Sequence, residues 1–467
     1  MCRIAIIVTH TQTVRGFIDK VMHQFFSKYL FYYPVTLLKG EIICKYLSQY
    51  NLFQNLPTAD IEKYQLKNLG SLLQHAYSKS AYYKEAFDAQ GVHPSEINCL
   101  EDLAKLPYLT KNDLVTRFND IVTTRRSCLI SEKTTGGSTG QAVTLLKNAD
   151  ALARERAATW RSYAWAGIQI GDPQARFWGT PLHASQRVKY QLIDFIANRK
   201  RFSAFNINEQ RLEEFYQQLV HFRPAYLYGY VSVIELFARF IRQHNYELPA
   251  SVKCVITTSE VLSDGARDEI RSSLKLAVYN EYGCGEVGSV AHECEHGEMH
   301  VMEDNLILEI TPDSKGSTAG EIVVTDLFNY ATPLIRYRLG DYASILNKRC
   351  DCGRTLKVIG NIHGRAYDCI HTVDGRVFHP EVMMYIFEDI KGTVGGIGQF
   401  QVIQESLDSL CIKIVKADGY NAETENHIKN VIADKLHKSM TVRFEYIDHV
   451  EREKSGKLRL VKSNLQR

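Results

Sequence analysis

Leucines and aromatic residues recur at three- and four-residue spacing in DIEKYQLKNLGSLLQHAYSKSAYYKEAFDAQ, part of a polar stretch from 58 to 127. That period predicts a chiefly helical lead-in. From about residue 128 strands alternate with helices. ALARERAATWRSYAWAGI (151–168) and VSVIELFARFIRQHN (231–245) keep the helical period, whereas KCVITTSE (253–260) is a short apolar strand. Ser263 follows it as an N-cap for the helix DGARDEIRSSLK. Such alternation predicts an α/β core with helices on a largely parallel sheet. NLILEI and GEIVVTDL add strands separated by the loop TPDSKGSTAG. Beyond GNIHGRAYD (360–368), QFQVIQESLDSLCIKIVKA predicts a hairpin, AETENHIKNVIADKLH a helix with Ile428, Val431, Ile432 and Leu436 on one face, and TVRFEYI a closing strand. The expected organisation is a large N-terminal domain of mixed sheets and helices over 1–362, with 1–127 as lead-in. A small, mobile α+β domain (ββαβ) follows over 363–467.

Composition narrows the partners. In 467 residues, 45% are hydrophobic and 23% charged, enough for two or three domains with a large core. With 56 Lys+Arg against 53 Asp+Glu the net charge is +3 and no long basic run accompanies it, so nucleic acid is not an expected partner. The eleven cysteines follow no convincing secretory leader, since MCRIAIIVTH turns polar too soon. A reducing, cytoplasmic setting with free thiols or metal ligands is therefore expected. No apolar stretch approaches the ~20 residues that cross a bilayer. The aromatic segment 25–47 is broken by Lys28, Pro34, Lys39, Glu41 and Lys45, which predicts packed N-terminal helices. A surface resting peripherally on a membrane is the alternative, and a homodimer stays open.

The chemistry-bearing stretches begin with TTGGSTG: Thr134, Thr135, Gly136, Gly137, Ser138, Thr139 and Gly140. Glycines let backbone amides approach phosphate oxygens and the hydroxyls donate to the same oxygens. The lysine of a Walker loop is absent, Gln141 standing next instead. NEYGCGE (280–286) puts Tyr282 and Glu286 at the tip of an apolar strand, where a ring can stack on a purine and a carboxylate can hold magnesium. PLIRYRLGD (333–341) brings Arg338 and Asp341 around a turn glycine, the carboxylate suited to a ribose diol. EKSGKLRLV (453–461) carries Lys457. Each has an ordinary explanation taken singly: a solvated acid, a turn aspartate paired to Arg338, one exposed lysine among many.

Their order resembles the motif series of the adenylate-forming ligase superfamily over about residues 80–460. CLEDLAKLPYLTKNDL, YLYGYVSVIELFA, TTSEVL, CEHGEMHVMEDN, ATPLIRYRLGD and CDCGR resemble the phenylacetate-CoA ligase branch and its CapK-type relatives. The resemblance implies an enzyme that uses ATP and Mg2+ to join a small carboxylic acid to AMP and then passes the acyl group on. CoA is the implied acceptor, and an amine on a sugar, as in capsular polysaccharide synthesis, is the alternative. Lys457 matches the lysine that the small domain brings to the α-phosphate, Glu286 the magnesium carboxylate, and Arg365 the arginine at the hinge. At the hinge itself the usual Asp or Lys is replaced by Tyr367, with Asp368 next. The missing loop cation would thus arrive on a moving domain.

Between these motifs, FWGTPLHAS, AYLYGYVS and TTSEV offer Trp178, His183, Tyr228, Tyr230 and Ser259 as acid-pocket candidates, with core packing as the competing explanation for the aromatics. CEHGEMH and CDC supply Cys294, His300, Cys350 and Cys352, a donor set suited to structural zinc or else to reduced, unliganded thiols.

Overall fold

The computed structural model describes residues 24–465, apart from 128, 136–142, 180–183, 313–318, 347, 361, 363–369, 379–381, 384–385, 388, 391–393 and 452–459. The lead-in is helical as its period predicts, with the long helix Thr58–Lys79 followed by Ala81–Gln90. Ser80 ends one and caps the other, accepting from the Tyr83 amide. These helices bury Leu69, Leu72, Leu73 and Phe87 against Ile322, Val324 and Leu334. Tyr83 then reaches across the contact, its hydroxyl donating to the Pro333 carbonyl at 2.9 Å and accepting from the Ile335 amide at 3.1 Å. The lead-in thereby fixes the start of PLIRYRLGD.

Helices also form over the aromatic N-terminal segment: Tyr33–Leu38 and Ile43–Phe53. Tyr46, Tyr50 and Phe53 are buried, and the Trp160 indole donates to the Tyr32 hydroxyl at 2.7 Å, so one face packs as expected. Leu37 and Leu38 on the first of these helices, and Phe25 and Leu30 ahead of it, stay exposed. No helix among the described residues is long and apolar enough to cross a membrane.

One eleven-stranded sheet organises residues 174–359. Arg199–Ser203, Gln174–Trp178, Tyr226–Tyr230, Cys254–Thr258 and Ala277–Cys284 lie parallel in that spatial order. Helices Val231–Gln243 and Asp264–Leu274 return the chain between them, the second capped by Ser263 as expected. Beyond Ala277–Cys284 the pairing becomes antiparallel through Gly288–Glu293, Met299–Val301 and Val358–Ile359 to Tyr337–Leu346, Ala319–Asp326 and Leu306–Pro312, in that spatial order. The sheet is therefore mixed rather than largely parallel. Helical crossovers stop at residue 277, and hairpin connections permit only antiparallel neighbours.

The C-terminal sheet has the spatial order Thr441–Tyr446, Ser409–Lys416, Ile397–Ser406, Val461–Ser463. Helix Ala422–Lys435 buries Ile428 and Ile432, with Leu436 just past its end. TVRFEYI does not close the domain, because Val461–Ser463 adds a further strand parallel to Ile397–Ser406. Three residues are too few for a periodic signal.

Candidate active site

Two strands hold the centre. Ile130–Thr135 and Val143–Asn148 pair antiparallel, with Thr134 opposite Thr144 and Thr135 opposite Val143. Thr134 and Thr135 thus end a strand instead of opening the loop. Gly136, Gly137, Ser138, Thr139 and Gly140 lie outside the described residues.

Below this hairpin sits a charge cluster that sequence reading missed. Glu155, on helix Ala149–Trp165, takes Lys133 at 2.9 Å and Lys147 at 2.8 Å, and Asp326 lies 3.9 Å from Lys147. Burial alone would raise the Glu155 carboxyl, but Lys147 and Lys133 bring it down to about 2. Burial lowers the Lys133 ammonium, whereas Glu155 and Asp326 outweigh burial at Lys147 and raise it. An i,i+8 glutamate and lysine in different elements have no local sequence signature.

At the tip of strand Ala277–Cys284, Tyr282 donates its hydroxyl to Asp341 Oδ2 at 3.0 Å. Glu286 is 9% exposed and its Oε1 accepts from the buried Tyr337 hydroxyl at 3.3 Å. The motifs NEYGCGE and YRLGD, some fifty residues apart in the chain, are therefore locked together by two reciprocal tyrosine–carboxylate hydrogen bonds. Among the described residues no cation pairs with the buried Glu286 carboxylate. That fits a carboxylate that holds a metal.

Gly340 is not in a turn. It lies within strand Tyr337–Leu346 at φ +77°, where two register positions, Glu321 opposite Tyr342 and Val323 opposite Arg338, enclose extra residues on the longer side. This bulge re-aims Asp341 toward Tyr282. Arg338 faces away: its Nε donates to Glu321 at 2.8 Å, and its side chain is 47% exposed. The neighbour that anchors the motif is Arg336, whose guanidinium meets Glu309 at 2.8 Å and the Leu106 carbonyl at 2.6 Å. If Asp341 holds the ribose, Tyr282→Phe is expected to raise the KM for ATP by about tenfold by removing one of the contacts that orient Asp341, since one hydrogen bond to a charged group contributes about 1.5–3 kcal/mol. Steady-state pyrophosphate exchange measures it, and an unchanged KM would separate the hydroxyl from nucleotide binding.

Among the acid-pocket candidates, Trp178, Tyr228 and Tyr230 come together as a stack. Trp178 lies 4.3 Å from Tyr230 and 5.8 Å from Tyr228, centroid to centroid. Arg176 lies over two of these rings, 4.5 Å from Trp178 and 4.8 Å from Tyr228. Beside them burial pushes the Glu281 carboxyl up, against hydrogen bonds from Tyr163 and Tyr228. Neither Arg176 nor Glu281 was expected, although both share the sheet face of Tyr228 by strand alternation. Ser259 is exposed at φ +67°, just past strand Cys254–Thr258. His183, Arg365, Tyr367, Asp368 and Lys457 lie outside the described residues.

Comparison with known proteins bears on this geometry. Residues 370–464 match the CapK C-terminal domain. Protein CapK of Staphylococcus aureus is 22% identical over 451 residues, covering 94% of this chain and 98% of CapK. The phenylacetate-coenzyme A ligase of Pseudomonas putida is 25% identical over 352 residues, 71% of this chain and 77% of that enzyme. In sequence the chain is thus similar to CapK over almost its whole length and to the phenylacetate-coenzyme A ligases over about two thirds or more of it. Its fold agrees: a 2-hydroxyisobutyryl-CoA ligase, solved with 2-HIB-AMP and CoA in the thioesterification state, superposes with TM-score 0.59 at 20% identity over 88% of this chain and 91% of that one. The structure brings Tyr282, Glu286, Tyr337 and Asp341 of the two motifs together, and TTGGSTG itself contains no cationic residue.

Proposed function

We propose that the chain is an AMP-forming ligase that activates a small carboxylic acid with ATP and passes the acyl group to the thiol of CoA. The carrying observation is the Tyr282–Asp341 hydrogen bond, which orients an aromatic face and a carboxylate as adenosine needs them. Asp341 would accept from both ribose hydroxyls, and the Tyr282 ring would stack on the base. Glu286 is the residue that would hold magnesium, whose charge, when bound, offsets repulsion between ATP and the acid. Amides and hydroxyls of residues 134–140 would grip the outer phosphates. Lys457 would lie against the carboxylate and α-phosphate as charge shifts between them. In-line approach of the two anions in this enclosure accounts for much of the rate. The aromatic stack at Trp178, Tyr228 and Tyr230 favours an aryl or small apolar acid.

A second reading keeps the first half-reaction and changes the acceptor to an amine on a sugar. The CapK C-terminal match and the near full-length alignment with CapK favour it. One series of assays decides. ATP–pyrophosphate exchange is run across aryl, acyl and amino acids, and the positive acids are then assayed with CoA and with amino sugars. Exchange with at least one acid, followed by thioester formation, is expected; amide formation would select the second reading. ATP binding with no exchange for any acid would instead indicate a nucleotide-binding scaffold. Asp341→Ala should raise the KM for ATP about 10- to 100-fold with kcat less affected, as expected when a bidentate contact to a charged group is lost.

A further inference from the structure

We propose that Cys294, His300, Cys350 and Cys352 form a closed, tetrahedral zinc site, separate from the nucleotide motifs, that clips the 350–356 loop to the strands following Glu286. Their ligand atoms all lie within 4.8 Å of one another. Cys294 Sγ is 3.6 Å from Cys350 Sγ, and Cys352 Sγ is 3.3 Å from His300 Nε2. A zinc tetrahedron with Zn–S of about 2.3 Å and Zn–N of about 2.1 Å has edges of about 3.5–3.8 Å. The Cys294–Cys350 and Cys352–His300 edges, 3.6 and 3.3 Å, fall close to that range.

Local backbone geometry repeats in a way that packing alone does not require. In CEHG, the Cys294 sulfur accepts from the amide two residues on, His296, at 3.4 Å, and the Gly297 amide returns to the Cys294 carbonyl at 2.9 Å. In CDCG, the Cys350 sulfur accepts from the Cys352 amide at 3.5 Å, and the Gly353 amide returns to the Cys350 carbonyl at 3.2 Å. The two glycines have φ of +78° and +80°. Each loop is thus the same Cys-x-x-Gly turn, with an amide aimed at its sulfur, an arrangement that stabilises thiolate rather than thiol.

The outer shell completes the argument. His300 sits on strand Met299–Val301, and its Nδ1 lies 3.1 Å from the Leu356 carbonyl, which assigns the proton to Nδ1 and turns Nε2 to the thiols as a ligand. The Trp165 ring lies 5.7 Å from His300 and Arg354 stacks 4.6 Å over Trp165, while Arg354 also pairs with Glu295 at 2.8 Å. Cys294, His300 and Cys350 are buried, leaving no open position for water or substrate. Three sulfurs and one imidazole select zinc over magnesium or calcium. A disulfide between Cys294 and Cys350 would leave His300 and Cys352 without a role.

The test uses the full chain, produced with zinc and without a histidine tag. Metal analysis should find about one equivalent of zinc, and Cys352→Ser or His300→Ala should retain less than about half, while Cys44→Ser, at an exposed position of helix Ile43–Phe53, retains the full equivalent. Cobalt(II) exchanged into the wild-type chain should give thiolate charge-transfer bands and intense tetrahedral d–d bands. Less than about half an equivalent in the wild-type chain, weak octahedral cobalt bands, or an intact mass lacking two hydrogens for a Cys294–Cys350 disulfide would each overturn the site. These readouts do not depend on adenylation, so the failure of the zinc site and the failure of the ligase reading are distinguishable.

Discussion

Lys457→Ala should slow acyl-adenylate formation by about 10²–10³-fold, the usual loss when one preorganised donor to developing negative charge is removed. Thiolysis of preformed acyl-adenylate should change much less. The asymmetry follows from where this lysine is attached. Lys457 lies outside the described residues, but four residues later Val461 is paired in parallel with Val402 at the edge of the C-terminal sheet. At about 3.5 Å per residue the lysine is tethered within about 14 Å of that edge. On the proposed reading it would reach a nucleotide beside Tyr282 and Asp341 in arrangements that bring the small sheet near, and would be withdrawn in those that open the site for a thiol. Pyrophosphate exchange reads the first half-reaction and single-turnover thioester formation from isolated adenylate reads the second. Equal loss in both would remove Lys457 from its assigned step and place its effect on folding or domain closure. Lys457→Arg, which keeps the charge and changes its shape, should fall between wild type and alanine.

How far the sequence carried this picture depended on whether a residue acts through its own neighbours. The N-cap Ser263, the helix face Ile428/Ile432 and the strand Cys254–Thr258 follow from local period and cap chemistry, and they appear where expected. Tyr282, Glu286 and Asp341 were legible because the motif order names them together, and the cluster of Cys294, His300, Cys350 and Cys352 because thiols and imidazoles cost little to recognise. Long-range contacts were not legible. Arg338 and Arg336 stand two residues apart, yet a bulge turns one outward to Glu321 and tertiary packing buries the other on Glu309 and Leu106. Nothing in RYRLGD distinguishes them, because a bulge is set by the partner strand. Arg176 and Glu281 were missed for the same reason: parallel pairing places both on the face of Tyr228, and pairing is invisible to a single strand.

Glu155→Gln should cost about 3–5 kcal/mol in unfolding free energy and raise the KM for ATP, because the cluster loses the carboxylate its two lysines share and keeps both cations. Lys147, 1% exposed, would retain Asp326 at 3.9 Å as its only carboxylate among the described residues. The functional part of the loss follows from what Glu155 touches. Lys133 and Lys147 sit on the two strands of the hairpin that carries residues 136–142, so their shared partner fastens both strands to helix Ala149–Trp165. On its other side, a Cβ at Gly288 would lie 2.4 Å from the Glu155 side chain, which shows how closely the segment after Glu286 packs on it. One carboxylate thus ties the strands on either side of residues 136–142 to the segment that follows Glu286. Its pH signature has a definite sign. Because the folded carboxyl lies near about 2 against an ordinary 4.5, its contribution is fully present above about pH 4.5 and is lost as pH falls toward 2. Urea unfolding of the variant at several pH values should show a shallower acid slope in that window, and an unaltered slope would dissociate the cluster from acid stability. Glu155→Gln combined with Lys147→Met should recover part of the stability by removing the stranded charge, yet leave the KM high. Recovery of both together would mean that the charge, and not the fastening of the hairpin, governs nucleotide binding.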